Sequence, residues 1–134
     1  MTEKILIIDD QPEVGETLKE WLAKFGYEST YCSGGKDGLD AMAKENFGAI
    51  LLDIKMPGDD GITILKKIKI ADPTAAVILM TAYPSDETIT QALNSGAYDY
   101  LLKPFNIEKI QFLINRAVSY HKLLKASGKN PKKS

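Results

Sequence analysis

The stretch Ala49-Ile50-Leu51-Leu52-Asp53-Ile54-Lys55-Met56-Pro57-Gly58-Asp59-Asp60-Gly61 decides the fold. Apolar residues run straight into a carboxylate, and Pro57 with two glycines then stops the chain from continuing as regular structure. That is the pattern of a buried strand ending at a charged loop. A strand with no polar alternation is covered on both faces, which is the habit of parallel sheets in α/β proteins. Asp53 then stands at the carboxyl end of its strand, the edge at which open parallel sheets bind ligands.

Outward from this stretch, strand-like and helix-like segments alternate. Ile5-Leu6-Ile7-Ile8 is a first buried strand ending at Asp9-Asp10. Pro12 suits the first turn of a helix with Val14, Leu18, Trp21, Leu22 and Phe25 on one face, and Gly26 ends it. Residues 28–32 form a weaker second strand. A second helix over residues 36–45 turns Leu39, Met42 and Ala43 inwards. Beyond Asp53, a third helix over residues 61–70 buries Ile62, Leu65 and Ile68, leaves Lys66, Lys67 and Lys69 on a solvated face, and stops before Asp72-Pro73. Residues 76–81 make the fourth strand. Ser85 caps a fourth helix that closes at Gly96, with Asp86 and Glu87 on the positive end of its dipole. Residues 98–102 form the fifth strand, leading to Lys103-Pro104, and Asn106 caps a long last helix. Five βα units in this order predict an α/β fold, a doubly wound five-stranded parallel sheet with five helices in a three-layer sandwich.

A length of 134 residues is that of one domain. The balance of 17 basic against 18 acidic residues gives no overall attraction to nucleic acid or to an anionic membrane. The single cysteine, Cys32, forms no internal disulfide and reads as inert. The apolar run after Met1-Thr2-Glu3-Lys4 is too short for a signal peptide, and no stretch reaches the roughly 20 apolar residues of a membrane span. A soluble cytoplasmic protein is the expectation.

Every strand but the second ends in a group suited to phosphate or metal chemistry. Asp9 and Asp10 follow the first, Asp53 ends the third, Thr81 the fourth, and Lys103 follows the fifth. An acidic pair after a strand is, by itself, more often a helix cap or a solvated loop. In a parallel sheet, however, all five groups meet on one edge. Converging carboxylates repel, so a hard divalent cation is their natural partner, and Mg²⁺ fits because it takes oxygen ligands and keeps several waters. The Asp53 carboxylate then serves as a nucleophile toward phosphorus, and Lys103 and Thr81 hold the phosphoryl oxygens.

The motifs Ile8-Asp9-Asp10, Leu52-Asp53-Ile54-Lys55-Met56-Pro57-Gly58, Met80-Thr81-Ala82 and Gly96-Ala97-Tyr98-Asp99-Tyr100-Leu101-Leu102-Lys103-Pro104-Phe105 together resemble a receiver domain of a bacterial two-component response regulator. The resemblance covers nearly all of residues 3–124. It implies a receiver domain over residues 1–124, with residues 125–134 as a basic flexible tail or the start of a linker. It also implies the flavodoxin-like strand order 2-1-3-4-5, phosphorylation of Asp53 by a sensor histidine kinase, and Mg²⁺ bound by Asp9, Asp10, Asp53 and the backbone carbonyl of Lys55. By the same resemblance Lys103 binds the phosphoryl group, Thr81 reports it, Tyr100 repacks when Thr81 moves, and the Lys103-Pro104 peptide is cis. Such a chain is a signalling receiver that catalyses only its own phosphorylation and dephosphorylation. Lys55 and Tyr83 stand where the family's attacking water passes, which implies slow self-dephosphorylation.

A Mg²⁺-dependent phosphatase with an aspartyl nucleophile remains the alternative, although such enzymes usually carry a second Asp two residues after the nucleophile and Lys55 stands there. A flavin mononucleotide protein would need a Ser/Thr/Gly-rich loop where Asp9-Asp10-Gln11-Pro12 places negative charge. His121, the one histidine, reads as a solvated or lightly packed residue of the last helix. The output is either a free-standing receiver acting on a partner protein or the regulatory domain of a transcription factor, switched through the face of the fourth helix, fifth strand and last helix. The stripe Ile107, Ile110, Ile114, Ala117, His121 and Leu124 suggests a last helix that outruns the sheet and pairs with a second copy or an output partner. No direct contact with nucleic acid or membrane is expected.

Overall fold

Five strands lie in one sheet: β1 (Lys4–Ile8), β2 (Glu28–Cys32), β3 (Ala49–Asp53), β4 (Val77–Thr81) and β5 (Asp99–Leu102). Every pairing is parallel and the spatial order is β2-β1-β3-β4-β5, as the resemblance implies. The helices between and after them are α1 (Pro12–Lys24), α2 (Gly35–Lys44), α3 (Gly61–Ala71), α4 (Asp86–Asn94) and α5 (Ile107–Ser127). The computed structural model describes residues 3–56, 58–82 and 85–128; Pro57, Tyr83 and the basic residues 129–134 lie outside the described residues.

The apolar strands take the centre because they have no face to give to water. All five residues of β3 and of β4 are buried, as are the last four of β1. Successive side chains alternate between two layers. Ile5, Ile7, Leu51 and Ile78 pack with Leu18 and Leu22 of α1 and with Ile110, Ile114 and Ala117 of α5. Leu6, Ile8, Ile50, Leu52, Val77 and Leu79 pack on the other face with Ile62, Leu65 and Ile68 of α3 and Ala92 of α4. Among the described residues no helix is long and apolar enough to cross a membrane.

The loop after β3 is more ordered than its proline and glycines predict. Lys55–Met56 pairs antiparallel with Asp59–Asp60, and Ile54 and Met56 are buried beneath this small ladder. Asp60 then caps α3, its carboxylate accepting the Ile62 N–H at 3.1 Å. A Cβ on Gly61 would lie 2.5 Å from the Ile54 carbonyl oxygen, so only glycine lets the helix start this close to the loop that follows Asp53.

Three side chains depart from their predicted faces. In α2, Ala43 is exposed, because the inward face is led by the buried Gly35 and Gly38 with Leu39, Ala41 and Met42 packed beside them. In α3, Lys66 and Lys67 are solvated as predicted but Lys69 is buried, its ammonium donating to the carbonyls of Pro73 at 2.9 Å and Ala75 at 2.8 Å. In α5, His121 is buried with Nδ1 2.9 Å from the Thr74 carbonyl oxygen.

His121 also changes the reading of the last helix. The stripe predicted to outrun the core is spent on the domain itself as far as His121, with Ile110, Leu113, Ile114, Ala117 and Val118 all buried. Beyond it Leu124 is half-buried and Leu123 is 66% exposed. The helix continues to Ser127, and Gly128 closes it in the left-handed region at φ 66°.

Lys69 and His121 together tie residues 73–75, at the entry to β4, to α3 and α5. Removing the ammonium leaves two backbone carbonyls without their donor in a buried place. Lys69→Met should therefore lower the unfolding free energy by about 2 kcal/mol, whereas Lys67→Met should change it by less than about 0.5 kcal/mol; urea titration of both variants checks the contrast.

Candidate functional site

The carboxyl edge of the sheet gathers the predicted residues. β1 continues one residue into its turn, with the Asp9 N–H donating to the Cys32 carbonyl at 3.1 Å. The Asp9 carboxylate is buried; Oδ1 accepts the Gln11 N–H at 2.8 Å and Oδ2 accepts from Lys103 Nζ at 2.9 Å. Asp53 is 5% exposed at the end of β3, its Oδ1 accepting the Lys55 N–H at 3.1 Å and its Oδ2 facing Lys103 Nζ at 3.3 Å. Asp10 is half-buried beside them. One oxygen from each of Asp9, Asp10 and Asp53 lies within 4.8 Å of the others.

Lys103 reaches this cluster because β5 delivers it there. Thr81 at the end of β4 is in register with Leu102, and the Lys103 N–H donates to the Thr81 carbonyl at 2.8 Å. Thr81 itself is buried. The Lys103-Pro104 peptide is cis, as the resemblance implies. Tyr100, opposite Leu79, is half-buried and packs against the core on the α3 and α4 side.

The electrostatics follow from burial. Desolvation pushes the Asp53 carboxyl above its ordinary value, more than the Lys55 N–H and the Lys103 ammonium pull it down, and the Asp9 charge adds to the rise. Desolvation opposes the charge on Lys103 too, but its hydrogen bond to the Asp9 carboxylate and the fields of Asp53 and Asp9 outweigh it and hold the ammonium above the usual lysine value. One fixed cation among three carboxylates leaves the edge acidic. An all-oxygen, negatively charged donor set of this kind fits a hard divalent ion.

Two residues at this edge belong to none of the strand-end motifs. Gln11 supplies an amide oxygen 3.5 Å from Lys103 Nζ as well as its backbone donor to Asp9. Tyr31 of β2 donates its hydroxyl to the Asp9 carbonyl at 2.6 Å. Burial, with the charges of Asp9, Asp10 and Glu13, pushes the Tyr31 phenol above its ordinary value, so it remains a donor at neutral pH. A hint was present in Gly15, an unfavourable residue inside an amphipathic helix. Cys32, next to Tyr31, has its thiol pushed up by burial and is a poor nucleophile.

Residues 5–115 match the family model of the response regulator receiver domain. The chain is 40% identical over 116 residues to sporulation initiation phosphotransferase F of Bacillus subtilis, covering 87% of this chain and 94% of that protein. It is 36% identical to the regulatory protein AtoC of Escherichia coli over 91% of this chain, but spans only 26% of that protein's length. The DNA-binding transcriptional regulator NtrC of Escherichia coli is 37% identical over 87% of the chain, which again spans only 25% of it. Among solved structures, a CheY-like receiver domain protein from Methanospirillum hungatei superimposes with a TM-score of 0.87 at 30% identity, over 91% of this chain and 98% of that one. Sheet order, the acidic edge, the family match and these relatives agree: the chain belongs to the response regulator receiver domain family of two-component systems.

Proposed function

We propose that this receiver is a cytoplasmic phosphoacceptor, with Asp53 taking a phosphoryl group from a phosphohistidine of a sensor kinase. The observation that carries this reading is the meeting of Asp9, Asp10 and Asp53 with the Lys103 ammonium at one sheet edge. A carboxylate oxygen of Asp53 attacks phosphorus; the P–N bond to the donor imidazole breaks as the new P–O bond forms, leaving an acyl phosphate on Asp53. The acceptor is already an anion, so no general base is needed. Asp9, Asp10, Asp53 and the backbone carbonyl of Lys55 would hold Mg²⁺, which supplies charge neutralisation at the transferring oxygens. Lys103, 3.3 Å from Asp53, donates to a phosphoryl oxygen, and Thr81 donates to another. The absence of a carboxylate at position 55, where the side chain is an exposed lysine, favours a receiver over an aspartyl phosphatase.

The output follows from what borders Thr81. Thr81, drawn toward the phosphoryl group, frees Tyr100 to repack and alters the face of α4, β5 and α5. That face exposes large apolar side chains: Leu93 at 46%, Leu102 at 48%, Ile107 at 37% and Phe112 at 57%. The Arg116 guanidinium lies over the Phe112 ring, 5.4 Å from its centroid. We assign this face to a second copy of the chain or to an output partner, and no direct contact with nucleic acid or membrane to the domain itself. Similarity to a phosphotransferase supports a domain that passes its signal to a partner protein; similarity to regulators such as NtrC supports control of transcription.

Incubation with a small phosphodonor and Mg²⁺ should add one phosphate to the protein, read as a mass shift. Asp53→Asn should show no shift and, because it removes a buried charge, should unfold at higher urea than the wild type in chelator. Chelation of the metal should also abolish the wild-type shift. A normal shift in Asp53→Asn would remove Asp53 as acceptor. For the output, a stable phosphate mimic with Mg²⁺ should increase the sedimentation coefficient at micromolar protein, and Phe112→Asp should suppress the increase; monomers throughout, with the mimic bound, would leave the face to a separate partner.

A further inference from the structure

We propose that Tyr31 is a positioning residue for the metal site, its hydroxyl fixing the turn that presents Asp9 and Asp10. The inference rests on the reading of this edge as a Mg²⁺-dependent phosphoacceptor and deepens it. The β1 to α1 turn is tied to β2 by two bonds, the Asp9 N–H to the Cys32 carbonyl and the Tyr31 hydroxyl to the Asp9 carbonyl at 2.6 Å. The second bond matters for geometry. The Asp9 carbonyl belongs to the rigid peptide plane that joins Asp9 to Asp10, so fixing that oxygen fixes where the Asp10 N–H and Cα stand and leaves only the Asp10 φ to orient its side chain. It also holds Asp9 against rotation while its carboxylate is shared between Gln11 and Lys103.

The tyrosine ring has a seat built for it. A Cβ on Gly15 would lie 2.5 Å from both Cδ1 and Cε1 of Tyr31, and 2.9 Å from Cγ. Any side chain at position 15 would displace the ring. Glycine inside a helix is otherwise unfavourable, and Gly15 sits in the first half of α1, buried, on the side that faces β2. The helix thus gives up a favourable residue to let an aromatic ring lie against its backbone, with the hydroxyl aimed at the carbonyl of a metal-binding residue. Groups that orient ligands in this way typically change metal affinity by 10- to 100-fold when removed.

The test is titration of the full chain with Mg²⁺ alone, followed by calorimetry. Tyr31→Phe keeps the ring and its packing but removes the donor, and should weaken Mg²⁺ binding about 10-fold. Gly15→Ala, which displaces the ring, should weaken it to a similar extent, and adding Gly15→Ala to Tyr31→Phe should cost little more. In phosphodonor assays the Mg²⁺ concentration for half-maximal rate should rise in Tyr31→Phe, with the rate at saturating Mg²⁺ unchanged; a residue that only packs would move neither. Equal Mg²⁺ affinity in wild type and Tyr31→Phe would overturn the positioning role while leaving the phosphoacceptor reading intact. No Mg²⁺ binding by the wild-type chain would overturn the metal site itself, and this inference with it.

Discussion

The ammonium of Lys103 lies between two buried carboxylates, 2.9 Å from Asp9 and 3.3 Å from Asp53, and the rest of the molecule is arranged to make that contact. Removing charges from water is costly, and three carboxylates with one cation would not persist at a sheet edge unless the backbone forced them together. The force is the parallel sheet. With β1, β3 and β4 wholly apolar inside, strand register leaves no freedom at their ends: Ile8 stands opposite Leu52, Asp53 opposite Met80, and Thr81 opposite Leu102. Hydrophobic burial thus supplies the energy that holds an unfavourable charge arrangement in place. The acidic edge is the compensating cost, and a bound divalent ion would relieve it.

The same framework offers a route by which the proposed change at Asp53 would reach a surface. β4 and β5 are clasped at their ends by the Lys103 N–H to Thr81 carbonyl bond, so a displacement at Thr81 bears directly on the edge strand. Tyr100 lies two residues back on that strand, in register with Leu79 and packed against the α3 and α4 side. The exposed apolar residues flank this edge. At the opposite end of the sheet, Lys69 and His121 pin the entry to β4. One end of the strand is fixed by these contacts, and the other carries Thr81, for which the reporting role is proposed.

Most of this was legible in the sequence because it is written in strand ends. Ile5 to Asp10, Ala49 to Asp53 and Ala76 to Thr81 each show apolar runs closing on a polar group, and a parallel sheet is the one arrangement that covers such runs on both faces. What escaped depended on contacts between distant residues. Lys69 reads as a solvated lysine by its charge, yet it stands four residues after Leu65 on the buried face, where carbonyls of the following turn hold its ammonium. His121 reads as surface, yet the helix that carries it passes over Thr74. The Tyr31 hydroxyl meets Asp9 across 22 positions of chain, and only the odd placement of Gly15 marks it. Ala43 fits an apolar stripe, but Gly38 lets α2 lie close against Ile8 of β1 and Gly35 lets it lie close against Ile64 of α3, so the glycines and not Ala43 form its inner face.

The central claim is that these strand ends form one phosphoryl-accepting, Mg²⁺-binding centre on Asp53. The most direct measurement is a crystal structure of the chain with Mg²⁺ and a beryllium fluoride mimic of the phosphoryl group. The account predicts the mimic on an Asp53 carboxylate oxygen, contacted by Lys103 Nζ and the Thr81 hydroxyl, with the metal bound by Asp9, Asp10, Asp53 and the Lys55 carbonyl. A mimic bound at another residue, or density for the metal away from Asp9 and Asp53, would contradict it.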